Sequence, residues 1–218
     1  MSPLVLLDLD DTLVDRAAAF GRWAGQFCND HRLAHDAASW LEAADRDGYA
    51  DRVTFFAAVC RRFGIDDEDF AADWARNFSA FFELEPGVAE GLKTLRAVGW
   101  RAALVTNGGT EAQTAKILQV GLDQLVDGWA ISEAVGVAKP DPRILEAAAA
   151  AAGEKLAPSN WIIGDSAEHD IQAAHRTGIR SIWLTHGRAW SEREFRPALM
   201  AESAAGALAL VTGQPRAS

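Results

Sequence analysis

Four apolar residues, Leu4 to Leu7, run without a polar break into Asp8, Asp10, Asp11 and Asp15. A short apolar run with no alternation predicts a strand covered on both faces, as in a parallel sheet. Four more strands are predicted at residues 101–106, 129–132, 160–165 and 180–185. Helices are predicted between them. Residues 86–98 begin with Pro and end near Gly99; residues 110–120 stop before Gly121, 140–152 before Gly153 and 168–177 before Gly178. Strands alternating with helices of this length mean βαβ units. The expected class is therefore α/β, a Rossmann-like parallel sheet with helices on both faces. Right-handed crossovers then bring the carboxyl ends of the strands to one edge.

One segment departs from that rhythm. Residues 16–84 hold no strand pattern, only amphipathic helical stretches rich in Ala, Phe and Trp, such as "DRVTFFAAVCRRFG". This is too long for an ordinary crossover and reads as an inserted helical cap. The expected division is a core of residues 1–15 and 85–218 and a cap of residues 16–84. An insert leaving the chain just after Asp8 and Asp10 is placed to act as a lid over that edge. Arg22, Trp23, Tyr49, Arg52 and Phe56 are its polar-tipped or aromatic residues, each better explained by packing or surface than by substrate contact.

The chemistry gathers where the strands end. Strand alternation would put Asp8 and Asp10 on the same side, and two carboxylates that close repel unless a cation intervenes. A solvated acidic turn explains Asp11 and Asp15, but not Asp8, which follows the buried run directly. A hard divalent cation at the carboxyl end of a parallel strand explains it better. The second strand ends in Thr106, Asn107, Gly108 and Gly109 before a helix start. A hydroxyl plus backbone N–H groups there make a phosphate cradle, although Thr-Asn-Gly is also an ordinary turn. Lys139, read alone, is a solvated charge. Asp165 follows an apolar run and a Gly, much as Asp8 follows Leu7, while Asp170 suits a helix N-terminus without any special role.

Bulk properties narrow the field. A net charge of −10 argues against general nucleic-acid binding. It leaves room for a phosphorylated small molecule, because a metal ion inverts the local field. No run is long enough for a membrane span, and the N-terminal apolar run is too short for a signal peptide. Cys28 and Cys60 lack metal or redox spacing, and a cytoplasmic protein with reduced thiols is expected.

Taken in order, Asp-x-Asp-x-Thr, Thr-Asn-Gly, Lys-Pro and Gly-Asp with a further Asp resemble the four motifs of the haloacid dehalogenase-like (HAD) hydrolase superfamily. The resemblance spans residue 4 to about residue 185, and the insert resembles the helical cap many members carry after the first motif. It implies a phosphatase acting on a small phosphate ester, as a monomer or homodimer. Asp8 is then the nucleophile and Asp10 the general acid and base. Thr106, Lys139 and the backbone amides near Asn107 and Gly108 hold phosphate oxygens. Mg²⁺ is bound by Asp8, the backbone carbonyl of Asp10 and Asp165, with Asp170 bonding metal waters or Lys139. Where members often have Asn or Asp before that last Asp, this chain has His169. The rivals are a 2-haloacid dehalogenase, a sugar phosphomutase and, outside enzymes, a phospho-accepting regulatory module. Asp10 and Asp165 favour the phosphatase over the dehalogenase. The N-terminal position of Asp8 and the long insert disfavour the regulatory module.

Overall fold

The first apolar run forms strand β1 (Leu4–Leu7), with all four side chains buried. The structure is a computed structural model that describes residues 2–48 and 50–213, with only the backbone of Arg76. The chain divides into two compact units, one comprising Met1–Val14 and Leu84–Ser218, the other Asp15–Glu83.

The second unit is helical: α1 (Arg16–Asp30), α2 (Ala37–Asp45), α3 (Arg52–Phe63) and α4 (Asp67–Asn77). All four helices follow an aspartate, and three of those aspartates cap. Asp15, Asp51 and Asp66 each accept backbone N–H bonds that the first turn leaves unpaired. The inward faces are aromatic. Trp23 stacks on Phe27 with ring centroids 5.1 Å apart, and Trp74 stacks on Phe78 at 4.1 Å. Asp45, 1% exposed, is the polar centre. It takes two bonds from Arg16 (2.7 and 3.0 Å), an ion pair from Arg52 (2.8 Å) and the amide of Gly48 (2.8 Å). Burial alone would raise the pKa of its carboxyl, but the Arg16 bonds and charge, reinforced by Arg52, hold it below the usual carboxylate range. The residues singled out earlier are engaged within the unit. Trp23 is buried, Arg22 donates to the Phe81 carbonyl, Arg52 meets Asp45, and Phe56 packs edge-on to Phe70. Tyr49 lies outside the described residues.

The first unit is the α/β fold. After α5 (Val88–Ala97) come β2 (Arg101–Thr106), α6 (Thr110–Gln119), β3 (Gly128–Ile131) and α7 (Ser132–Val135). Then follow α8 (Pro142–Ala151), β4 (Trp161–Gly164), α9 (Gln172–Thr177), β5 (Arg180–Leu184), β6 (Leu199–Ala201) and α10 (Ala204–Thr212). The strands are ordered β3-β2-β1-β4-β5-β6, and every neighbouring pair is parallel. Leu4, Leu6, Val105, Ile144, Leu145 and Ile162 belong to one buried cluster on a face of the sheet. Each such side chain contributes roughly 1.5–3 kcal/mol by leaving water.

The observed elements correct the expected ones at their ends. Ser132, Asn160, Asp165 and Thr185 fall outside their strands. The expected helix over 168–177 is instead a single π-helical turn at Ala167–Ile171 followed by α9. β6 and α10 had no expected counterpart; β6 is three residues long, and none of them is buried. The order of the strands matters for function. From β1 the chain adds β2 and β3 on one side, then crosses over to add β4, β5 and β6 on the other. The carboxyl ends of β1 and β4 therefore flank the switch point at which open α/β sheets bind ligands.

Candidate active site

Asp8 sits one residue beyond β1, and its amide donates to the Ile163 carbonyl at 3.0 Å, so the backbone of β4 fixes where it stands. Past it the chain turns tightly. Leu13 and Val14 both donate to the Leu9 carbonyl, and Asp11 takes a positive φ of 55°. The alternation expected to align Asp8 with Asp10 belongs to a strand, and this strand stops at Leu7. The two carboxylates accordingly meet different cations.

Asp8 meets Lys139, whose Nζ lies 2.6 Å from Asp8 Oδ1 and 2.7 Å from Asp170 Oδ1. Lys139 is 3% exposed, which overturns its reading as a solvated charge. A lysine is rarely buried unless it is paired. Burial alone would lower its pKa, but the Asp170 and Asp8 carboxylates outweigh that and hold it above its ordinary range. Asn107 fastens the lysine's backbone, giving Nδ2 to the Lys139 carbonyl (3.1 Å) and receiving the Lys139 amide on Oδ1 (2.8 Å). The side chain of Asn107 is thus spent on Lys139. The Gly108 amide, expected in a phosphate cradle, donates to Ser132 Oγ at 2.9 Å in this state.

Asp170 is fully buried, and the π-helical turn carries it inward. Its second oxygen accepts the Ser166 amide at 3.0 Å. Gly164 explains the Gly-Asp pair: a Cβ there would collide with the Asp170 carboxylate. His169 pairs through Nδ1 with Ser166 Oγ at 3.0 Å, on the flank of the same turn.

Asp8, Asp165 and Asp170 bring carboxylate oxygens within 4.8 Å of one another. The crowding tells on Asp8 and Asp165. Burial, resisted by Lys139 and reinforced by Asp170 and Asp165, pushes Asp8 well above the usual carboxylate range. Asp165 is pushed up to about 6 by burial and by Asp170 and Asp11, with Arg188 pulling the other way. Arg188 reaches Asp165 Oδ2 at 3.2 Å and its carbonyl at 2.8 Å, and His186 bonds the Asp11 carbonyl at 2.7 Å. The loop after β5 therefore reaches this edge. An all-oxygen donor set with surplus negative charge fits a hard divalent cation.

Asp10 meets a second cation that the sequence did not disclose. Lys116 Nζ lies 2.7 Å from both its carboxylate oxygens, and Gln113 Nε2 donates to Oδ2 at 3.0 Å. The same Gln113 amide donates to Thr106 Oγ1. The available signal was that α6 spends two of its inward positions, three residues apart, on Gln113 and Lys116, both buried.

A family model described as haloacid dehalogenase-like hydrolase matches residues 3–178. The chain belongs to that family. Among curated relatives of this HAD-like hydrolase, the phosphoserine phosphatase of Thermus thermophilus is 29% identical, covering 90% of this chain and 94% of its own. The glyceraldehyde 3-phosphate phosphatase of Pyrococcus furiosus is 33% identical over 85% of this chain and 81% of its own. Among solved structures, the HAD-hydrolase YfnB of Bacillus subtilis, bound to magnesium, superposes with a TM-score of 0.77. It is 21% identical, covers 96% of this chain and 98% of its own, and bears on the fold alone. Among the described residues, no helix is long and apolar enough to cross a membrane.

Proposed function

We propose that this HAD-like hydrolase is a Mg²⁺-dependent phosphatase of a small phosphorylated metabolite. The observation that carries this reading is the pair of separately held carboxylates. Asp8 is bonded to buried Lys139, and Asp10, two residues on, is bonded to Lys116. Esters are cleaved by two groups with different tasks, and here the two have different environments. The phosphatase relatives support the same reaction.

In this reading Asp8 attacks phosphorus, a P–O bond to the carboxylate forms and the ester P–O bond breaks. Asp10 gives its proton to the departing alkoxide. It then takes a proton from the water that opens the aspartyl-phosphate, releasing phosphate and restoring Asp8. Lys139 and the Thr106 hydroxyl hold phosphate oxygens as charge shifts among them. Asp170 acts through Lys139, which it bonds, and Asn107 through the backbone of the same residue. Asp8, Asp165 and the Asp10 carbonyl would hold Mg²⁺. When bound, the ion offsets the repulsion between the attacking carboxylate and the anionic ester. The helical unit leaves the chain just after this segment, which supports a part for it in choosing substrates. The test is a screen of phosphate esters with Mg²⁺ and with EDTA. Turnover unchanged by EDTA, or halide released from 2-chloropropionate, would overturn the reading.

A further inference from the structure

We infer that Lys116 and Gln113 are positioning residues for the proton-transfer group, an inference that rests on the phosphatase reading. Lys116 is 6% exposed and Gln113 3% exposed. Burying an ammonium is unfavourable unless it is paired, and its pairing with both oxygens of Asp10 at 2.7 Å fixes the plane of that carboxylate. Gln113 adds a bond to Oδ2 at 3.0 Å. Asp10 stands in a tight turn beyond the strand, where backbone pairing alone would leave its side-chain rotamers open. Two donors from one helix close that choice.

Gln113 does a second thing. Its amide donates to Thr106 Oγ1, which engages a lone pair of that hydroxyl and leaves its proton to be given elsewhere. One side chain therefore ties the proton donor to a phosphate-holding hydroxyl across β1 and β2. Gly108 makes room for it. Its φ is +151°, and a Cβ there would lie 3.0 Å from Gln113 Cγ. The Gly of Thr-Asn-Gly thus serves Gln113 as well as the turn.

The step at stake is the proton passing to the alkoxide as the ester P–O bond breaks: Asp10 holds the proton it took from the water that opened the aspartyl-phosphate in the preceding turnover, and giving it up leaves the ionised carboxylate that Lys116 pairs with. Its importance depends on the leaving group, which a merely structural role would not reproduce. Lys116→Met keeps length and apolar bulk but loses the charge. The comparison is kcat/KM for p-nitrophenyl phosphate, whose phenolate leaves without a proton, against glycerol 2-phosphate, whose alkoxide needs one. Proton transfer by a positioned group contributes about 10²–10⁴-fold. Lys116→Met should therefore lose about tenfold or more on the alkyl ester, with kcat/KM for the aryl ester nearly unchanged. Its kcat on the aryl ester should fall, because opening the aspartyl-phosphate needs the base in either case. Lys116→Arg, which can still donate to both oxygens, should recover the alkyl activity in part. Gln113→Leu should shift the same ratio by less, and it reads the ratio independently if Lys116→Met does not fold. Equal losses on both esters, or none, would overturn the inference while leaving the phosphatase reading intact. A wild-type protein inactive on both esters would overturn that reading and this inference with it.

Discussion

Asp8 and Asp10 carry the proposed chemistry, and single substitutions should separate them. Asp8→Asn removes the nucleophile, so no phosphoenzyme forms and turnover should fall by several orders of magnitude. Asp10→Asn keeps the nucleophile and lacks the proton donor and base, a loss of about 10²–10⁴-fold on an ordinary ester. With p-nitrophenyl phosphate, Asp10→Asn should give a burst of at most one p-nitrophenol per site and then stall, and Asp8→Asn should give none. Rapid-quench kinetics reads the burst, and mass spectrometry should find the phosphate on the peptide containing Asp8. A label on another residue type would disprove the assignment. At this scale the sequence disclosed the acids and concealed the partners of Asp10, Lys116 and Gln113. Asp8 and Asp165 stood out because each follows an apolar run. Lys139 stood out only through the family resemblance, since nothing local distinguishes a buried lysine from a solvated one. Its burial depends on Asp170, 31 residues away along the chain.

Elements were legible where their pattern is local. The four-residue run of β1 needs no tertiary information. β6 escaped because three partly exposed residues become a strand only by pairing with β5. The π-helical turn at Ala167–Ile171 escaped because an ordinary helix and a bulged one share the same composition. Among the helices, α1, α2 and α3 depend on the Asp45 knot, and its charge state sets a pH limit. The Asp45 pKa is lowered on folding, so its contribution is complete above the unfolded value of 3.8 and is lost as pH falls through the lower folded value. The helical unit should therefore weaken below about pH 4, followed by tryptophan fluorescence, and Asp45→Asn should flatten that limb. Asp45→Ala leaves Arg16 buried without its carboxylate and should cost about 3–5 kcal/mol by denaturant titration at neutral pH. A cost under about 1 kcal/mol would show that the knot relaxes without it.

For the whole molecule, the parallel sheet brings together acids separated by more than 150 residues, Asp8 with Asp165 and Asp170, and leaves them crowded. The folded chain therefore holds a charge conflict that a bound divalent cation would relieve and the unfolded chain lacks. A ligand bound only by the folded state stabilises it by about 2.7 kcal/mol at a hundred times its Kd. A protein of this size gains roughly 2–4 °C per kcal/mol. Mg²⁺ at that concentration should raise Tm by about 5–10 °C over EDTA, read by calorimetry without any substrate. Asp165→Asn removes one of the three crowded carboxylates. In EDTA it should melt no lower than the wild type, because less repulsion remains, yet Mg²⁺ should move it little. Lys139→Met tests the other side: without its cation the same cluster becomes more negative, so the metal-free variant should lose stability and gain a larger Mg²⁺ shift. The conflict lies wholly in the α/β unit. If the two units melt separately, only that unit's transition should respond. Equal Mg²⁺ shifts in the wild type and Asp165→Asn would place the ion somewhere other than this edge.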